Sequence, residues 1–406
     1  MDRIKKLYLF ESPTYLDWAI YFTVFIILQI PAIVNFYYND GNHNSYLEFA
    51  QSLLHGHLSL PATNNNGDLA FFNGQLFLPY PPLPGIILVP FVLLFGNNVN
   101  TVAIATLMSC VNLYLLYSII SKIKIGKEYT PWLIAAVFFG TGYWYALFTS
   151  HHVYAFAHIT SLLFQLLIIN EILGKKRWWL IGVFIGCSFL TRQFTIFYVL
   201  FAAGYIFYLH KTQQRKVSVK DALLLFLPVG FFVGIYLVYN YLRFGNLFDS
   251  GYQHIIFIGV LKERVQQFGV FSIRYFLFNL YCTFIKGFNI EFDGKTYLHI
   301  KDMDLWGTSL LSASPFLIAS IKAQWPKILK ISAWLTIVVI LLGQLFYHNN
   351  GYEQVNTARF TLDFLPLLLL LMFLGANKIP GWLLKGMITY AIALNVISFG
   401  IHLLYQ

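Results

Sequence analysis

Residues 80–95 read YPPLPGIILVPFVLLF, an apolar run whose relation to the membrane decides the topology of everything that follows it. If residues 82–95 crossed the membrane, the lysines of segment 122–127 would lie outside, and every later basic cluster would change sides with them. If the run lies in the interface instead, all the basic clusters face the cytoplasm, as the positive-inside rule requires. Its four prolines also disfavour a continuous spanning helix. We therefore predict an interfacial segment here.

The composition of the whole chain is typical of a membrane protein. Of its 406 residues, 58% are hydrophobic, 19% are aromatic and only 11% are charged, and the mean hydropathy is +0.64. A soluble domain needs more charge to cover its surface, so lipid is the expected solvent. Glycines and prolines spread through long apolar runs favour a helical bundle over a β-barrel. Runs that match roughly 30 Å of hydrocarbon occur at 16–38, 100–121, 130–149, 151–173, 177–191, 194–209, 221–243, 306–322, 328–347, 359–376 and 382–404.

The basic residues predict an orientation. They cluster at 3–6, 122–127, 175–177, 211–220, 322–330 and at Lys378, whereas loop 39–99 contains no Lys or Arg. We therefore predict an all-α polytopic membrane protein, a single transmembrane domain over 1–406 with about eleven spans, its N-terminus cytoplasmic and its C-terminus outside. The formal charge of +10 follows from these clusters and does not indicate a nucleic-acid partner. The basic N-terminus is followed by an apolar run without a small-residue cleavage site, which predicts a retained first helix. We also expect the chain in a bacterial inner membrane.

Two large non-cytoplasmic loops follow from this topology, at 39–99 and 244–305. The first contains a short amphipathic stretch from Ser45 to Leu54 ahead of the proline-rich run. The second contains an aromatic amphipathic segment, Phe271–Phe288, which we expect to lie on the membrane surface. All cytoplasmic loops are short, so any chemistry is expected outside.

Three arginines are exceptions to the charge pattern. Arg192 lies in a tight outer turn between two spans, and Arg243 and Arg359 flank spans at the outer edge. A cation there is disfavoured during insertion unless something holds it. A phosphate is one candidate, because Arg binds phosphate oxygens in bidentate geometry. The alternative is snorkelling or an ion pair, and for Arg359 the partner would be Asp363 at i, i+4.

Asp40 directly follows the first span, where a carboxylate at the membrane surface is well placed to act as a general base. The alternative is an Asx-type turn or a cap for the helix that begins near Ser45. The other acids of loop 39–99 are Glu48, on the amphipathic stretch, and Asp68, in a polar run typical of a flexible turn.

A polar stripe follows one of the spans at helical intervals: His151, Tyr154, His158 and Gln165. Polar residues within a membrane helix usually face the bundle interior or a wet cavity. The stripe therefore predicts either a substrate pocket or interhelical hydrogen bonding. The His151-His152 pair has no acid beside it, so we predict no metal site there.

Several motifs resemble, in order along nearly the whole chain, the GT-C membrane glycosyltransferases. That superfamily includes protein O-mannosyltransferases, the aminoarabinose transferases of lipid A and the bacterial RgtA-like transferases. The resemblance rests on an acid just after the first span, Tyr46-x-x-x-Ala50, Leu54-x-Gly56, Asn73-Gly74-Gln75 and YPPLPG at 80–85, then YNYLRFG at 239–245 with Gly251-Tyr252, Gly351-Tyr352, ARF at 358–360 and DFLP at 363–366.

The resemblance implies an enzyme that uses a polyprenyl-phosphate-linked sugar as donor and a hydroxyl of a lipid, glycan or protein as acceptor. By position, Asp40 takes the role of catalytic base. The donor phosphate then falls to Arg192, Arg243 and Arg359. The residues expected to line the pocket are Tyr80, His151, His152, Tyr154 and His158. The chain lacks the paired acids found in many relatives, so no cofactor is implied with certainty and dependence on a divalent metal stays open.

Two other classes of protein remain as alternatives. A polytopic transporter or lipid-carrier flippase commonly shows two similar halves with broken helices, and this sequence shows no such halves. A catalytically silent membrane scaffold is the other alternative. Neither class needs an outer carboxylate together with outer arginines, and this combination favours the enzyme.

Overall fold

The computed structural model describes residues 15–37, 44–61, 68–123, 125–213, 218–351 and 354–405. In agreement with the predicted class, this part of the chain is predominantly helical. Six of its helices are long and apolar enough to cross a membrane: Thr101–Ile123, Val153–Leu173, Gln193–Lys211, Val219–Phe244, Lys327–Leu345 and Gly381–Leu404. Asp40, Tyr352 and the basic N-terminus lie outside the described residues.

The α-helices, numbered along the chain, are α1 Tyr15–Tyr37, α2 Ser45–Leu54, α3 Leu83–Phe95, α4 Thr101–Ile123, α5 Thr130–Phe139, α6 Tyr143–Phe148, α7 Val153–Leu173, α8 Trp178–Phe189, α9 Tyr198–Lys211, α10 Val219–Phe244, α11 Gly259–Phe268, α12 Phe276–Phe284, α13 Leu310–Ala313, α14 Lys327–Leu345, α15 Leu365–Gly375 and α16 Gly381–Tyr405. Single-turn or short 3-10 segments include Gln193–Phe197, Tyr252–His254, Pro315–Lys322 and Arg359–Asp363. The predicted amphipathic stretch at Ser45–Leu54 coincides with α2.

The expectation of an all-α protein needs a correction, because both long loops contain β-structure. The strands are β1 Ser59–Leu60, β2 Ala70–Phe72, β3 Gln75–Phe77, β4 Ile290–Asp293, β5 His299–Met303, β6 Trp306–Thr308 and β7 Gln354–Thr357. They form an antiparallel sheet of order β1-β3-β2, an antiparallel β4-β5 hairpin and a parallel β6-β7 pair. In loops of this length, short ladders satisfy backbone groups that no helix satisfies.

Two predicted spans are interrupted in the structure. The run 306–322 begins as β6, continues as the four-residue α13 and ends in the 3-10 helix Pro315–Lys322. Pro315 removes a helical donor at the junction. The run 130–149 breaks between α5 and α6, where Asn395 Nδ2 of α16 donates to the carbonyls of Phe139 and Thr141 at 2.7 and 2.8 Å. A neighbouring helix thus satisfies the freed carbonyls, as a break at membrane depth requires.

The core of the bundle is formed by α7 and α15, which are buried on nearly all sides. Close helix contacts around them depend on small residues. A Cβ at Gly182 of α8 would lie 2.4 Å from the Leu225 carbonyl oxygen of α10. A Cβ at Gly85 of α3 would lie 2.5 Å from the ring of Phe49 on α2. The first contact brings α8 and α10 close together, and the second packs the two helices of the first long loop on each other.

Candidate active site

An arginine turn and a carboxylate from distant parts of the chain form the centre of the site. Arg192 lies between α8 and the 3-10 helix Gln193–Phe197, and Asp363 ends the 3-10 helix Arg359–Asp363. The guanidinium donates from Nε to Oδ1 at 2.9 Å and from Nη2 to Oδ2 at 2.8 Å. This bidentate pair is the strong form of an ion pair. The Arg192 side chain is 18% exposed, whereas that of Asp363 is 1% exposed.

Two further side chains surround the Asp363 carboxylate. Gln344 Nε2 on α14 donates to Oδ2 at 3.0 Å. His158 Nδ1 on α7 lies 3.4 Å from Oδ1, in a contact that lacks hydrogen-bond geometry. The Asp363 carboxylate thus accepts three hydrogen bonds from protein groups. Nη1 of Arg192 has no acceptor among the described residues and remains available to a ligand.

Arg359 is a buried cation without a described counterion. It is 8% exposed, and its guanidinium carbon lies 3.5 Å from the centroid of the Tyr154 ring. Within the described ranges, Nε and Nη1 have no hydrogen-bond partner and no carboxylate lies within 4 Å. A buried charge is normally paired. The guanidinium is thus held by cation–π contact, with its donors unused.

The local ion pair considered for Arg359 does not form, because the segment Arg359–Asp363 is a 3-10 helix. With three residues per turn, positions i and i+3 face the same side, whereas i and i+4 are about 120° apart. The carboxylate consequently faces Arg192, and the ring of Phe360 lies between the two cations. The Phe360 centroid is 5.2 Å from the guanidinium carbon of Arg192 and 5.7 Å from that of Arg359.

A row of aromatic rings extends from this centre. The centroids of Tyr80 and Tyr252 are 6.3 Å apart, as are those of Tyr252 and Tyr347, and Tyr347 is 5.9 Å from Phe360. All three tyrosines keep partly accessible surface although protein surrounds them. Together with Arg359 these four rings form a contiguous cluster, which we name the tyrosine recess. Both long loops contribute to it.

Asp68 belongs to this neighbourhood, although the sequence predicts only a flexible turn there. Its backbone N–H donates to the Ile256 carbonyl at 3.3 Å, and Ile256 N–H donates to the Leu69 carbonyl at 2.9 Å. Asp68 is exposed by its accessible surface, but the protein atoms around its carboxyl displace water and raise its pKa, and the charge of Arg359 opposes that rise. Burial, and then the Asp68 charge, hold the pKa of Tyr80 well above its ordinary value. The position of Asp68 near Arg359 depends on backbone pairing between the two long loops, and for that reason the sequence alone does not indicate it.

Three of the side chains predicted to line the pocket form one aromatic group beside Arg359. The rings of His151 and His152 are 4.1 Å apart, and His152 stacks on Tyr154 at 5.4 Å, so this aromatic group leads to Arg359. Gln165, deeper in α7, accepts from the Tyr198 hydroxyl at 2.9 Å. In the described ranges no group of His, Cys, Asp and Glu is arranged to hold a metal ion. Asn44, the first described residue after Asp40, donates to the Ser150 carbonyl at 3.3 Å, beside His151.

Arg243 is not part of the tyrosine recess. Its guanidinium carbon lies 3.7 Å from the centroid of Tyr239 and 4.6 Å from that of Phe244. Its nitrogens donate to the carbonyls of Leu78 and Tyr239 and to Asn240 Oδ1. Of the three predicted phosphate ligands, the structure thus brings together Arg192 and Arg359 and separates Arg243 from them.

Comparison with known proteins adds no relative to this description: no family model, no curated protein and no solved structure matches the chain. The chemistry of the site therefore carries the functional argument.

Proposed function

We propose that the chain is a glycosyltransferase that moves a sugar from a polyprenyl-phosphate carrier to a hydroxyl of a glycan, lipid or protein acceptor. The observation that carries the proposal is the buried guanidinium of Arg359, which has two nitrogens without an acceptor and no counterion within 4 Å among the described residues. The charge of Arg192 is already balanced by Asp363, and Asp68 acts on Arg359 only from a distance. A phosphate supplies both the negative charge and the acceptors that Nε and Nη1 of Arg359 lack.

The rings of the tyrosine recess suit the sugar and isoprene parts of such a donor. Aromatic rings offer apolar faces to a sugar ring or an isoprene unit, and their hydroxyls offer hydrogen bonds. The departing carrier phosphate gains charge as the glycosidic bond breaks, and preorganised guanidinium groups stabilise that charge. Asp40, by the GT-C resemblance, is the proposed base that deprotonates the acceptor hydroxyl.

The proposal includes a topology. The site faces the non-cytoplasmic side of a bacterial inner membrane, the N-terminus is cytoplasmic and the chain crosses the bilayer about eleven times. In this arrangement α3 lies in the interface, because a crossing there would place the later basic clusters outside. The segment Leu310–Lys322 crosses as an interrupted span packed against α15.

The test is binding of a polyprenyl phosphate to the purified chain, followed by sugar transfer. Arg359→Ala should weaken binding by about 2–5 kcal/mol, because a desolvated charge contact is lost. Arg359→Lys keeps the charge without the planar fork and should lose less. Arg274→Ala is the matched control, because Arg274 is exposed. The proposal fails if Arg359→Ala and Arg274→Ala bind the carrier as the wild type does.

A structural role for Arg359 makes a different prediction. If the guanidinium mainly stabilised the fold, Arg359→Ala would lower the melting temperature of the ligand-free protein. If it serves an anion, removing an unpaired buried charge should leave that temperature unchanged or raise it. In that case, only the stabilisation that the carrier phosphate adds to the wild type should disappear.

A further inference from the structure

A second site lies outside the tyrosine recess, between the β2-β3 hairpin and the end of α10. It is a groove of about 310 Å³, which we name the hairpin groove. Its lining consists of Gly56, His57, Leu58, Ser59, Phe72, Asn73, Gln75, Phe77, Leu242 and Arg243. This volume is at the lower end of the range for small-molecule sites. None of the lining residues is an acid.

The charge of Arg243 is buried in this groove without a counterion. The residue is 4% exposed, and its acceptors among the described residues, two backbone carbonyls and one amide oxygen, are all neutral. Among the described residues no carboxylate lies within 4 Å of it. Asp249 acts on it only from a distance, and that carboxylate already accepts from Gly251, Gln253 and His254. The guanidinium of Arg243 thus has hydrogen-bond acceptors, but no described group neutralises its charge.

One edge of the groove continues into an apolar surface of α10. Leu242 at that edge is 64% exposed, and the exposed side chains below it recur at helical spacing: Phe231, Ile235 and Val238. This stripe is one face of a helix that is long and apolar enough to cross the membrane. The opposite edge is polar and exposed, with His57, Asn73 and Gln75. A ligand with a polar head and an apolar chain matches both edges.

We infer that the hairpin groove binds the anionic, phosphate-bearing headgroup of a membrane lipid, with Arg243 beneath the phosphate and the acyl chains along the α10 stripe. The ring contacts with Tyr239 and Phe244 hold the guanidinium in place. Asn73 and Gln75 also line the groove, and their amides can donate hydrogen bonds to the headgroup. The site shares none of its lining residues with the tyrosine recess, and this inference does not rest on the proposed transfer reaction.

The test uses the full chain in a neutral detergent and measures binding of a short-chain phosphatidylglycerol. Gln75→Glu places a carboxylate in the groove without touching Arg243 and should raise the Kd by about tenfold or more. Asn73→Asp should act in the same direction, since Asp tolerates the positive φ of this turn. The matched control is Phe71→Glu, which adds the same charge to the other face of the hairpin. It should change the Kd less than about twofold.

Three further arms identify the ligand. Phosphatidylcholine of equal chain length should bind more weakly, and Arg359→Ala should leave phosphatidylglycerol affinity unchanged. If inorganic phosphate alone competes as strongly as the lipid, the groove still binds phosphate, but its source is a soluble anion. If Gln75→Glu and Phe71→Glu behave alike, or if the two lipids bind equally, the inference is overturned. If the wild-type chain binds phosphatidylglycerol but does not bind a polyprenyl phosphate, the proposed function is contradicted and this site still stands.

Discussion

At the scale of single residues, the two arginines of the site differ in what protein groups leave to a ligand. Arg192 is committed to Asp363 through two hydrogen bonds, with one nitrogen remaining. Arg359 is held by the ring of Tyr154, and two of its nitrogens remain unused within the described ranges. Arg192 is therefore well suited to position the site, whereas Arg359 is the stronger candidate for the phosphate itself.

Asp363→Asn tests the positioning role of this pair. It leaves the guanidinium of Arg192 without its counterion and should destabilise the protein by about 3–5 kcal/mol. The double variant Arg192→Met, Asp363→Leu replaces both charges and should be clearly more stable than Asp363→Asn alone. Thermal unfolding in detergent measures both. Equal destabilisation by the single and double variants would show that the ion pair does not determine local stability.

Asp40→Asn tests the proposed base. Asn is nearly isosteric with Asp and serves in a helix cap or a turn about as well as Asp does. It does not accept a proton at useful pH. The variant should fold, bind the donor and turn over roughly 10²–10⁴-fold more slowly. The assay is sugar transfer at matched protein abundance. Near-normal transfer would remove Asp40 from catalysis.

At the scale of elements, the site depends on how a few backbone segments meet. Leu83 N–H at the start of α3 donates to the Leu190 carbonyl at 3.0 Å, which connects the interfacial helix to the Arg192 turn. The Ala70–Ile255 bridge joins the first long loop to the second. A displacement of either loop would consequently reshape the tyrosine recess.

The close approach of α8 to α10 at Gly182 can be tested by substitution. Gly182→Ala places a Cβ 2.4 Å from the Leu225 carbonyl oxygen and should destabilise the α8-α10 contact by about 1–3 kcal/mol. Gly230→Ala in α10 is the control, because no atom lies within 4 Å of its Cβ position. It should be neutral or stabilising by up to about 1 kcal/mol. Equal melting temperatures for the two variants would contradict the close approach.

At the scale of the whole molecule, the distribution of Lys and Arg predicts which ends of the bundle share a side. In a background without Cys110, Cys187 and Cys282, single cysteines at Asn73 and Tyr297 should react with an impermeant reagent from outside intact cells. A cysteine at Gln213, beyond α9, should react only after permeabilisation. Labelling of Asn73 and Gln213 from the same side would mean that α3 crosses the membrane.

The sequence by itself determined the predominantly helical membrane class, the six helices of membrane length and the bounds of α2, whereas the total of about eleven spans stays a prediction. Hydrophobic length, charge placement and capping act over a few neighbouring residues, so a linear pattern records them. It also singled out Arg192, Arg359 and Tyr154, because charged and polar residues are conspicuous in and beside apolar runs. Tyr80 was singled out only by the motif that resembles the GT-C enzymes.

Only the tertiary structure decided how these residues are partnered. Asp363 is four positions from Arg359 but pairs with Arg192, 171 positions away, since the 3-10 turn directs the carboxylate away from its neighbour. Asp68 and the tyrosine recess depend on two loops that meet across the fold, and the breaks in the runs 130–149 and 306–322 are compensated by contacts from elsewhere in the bundle. Long-range pairing and local backbone geometry have no linear signature, and for that reason the charge balance of the site became visible only in the folded molecule.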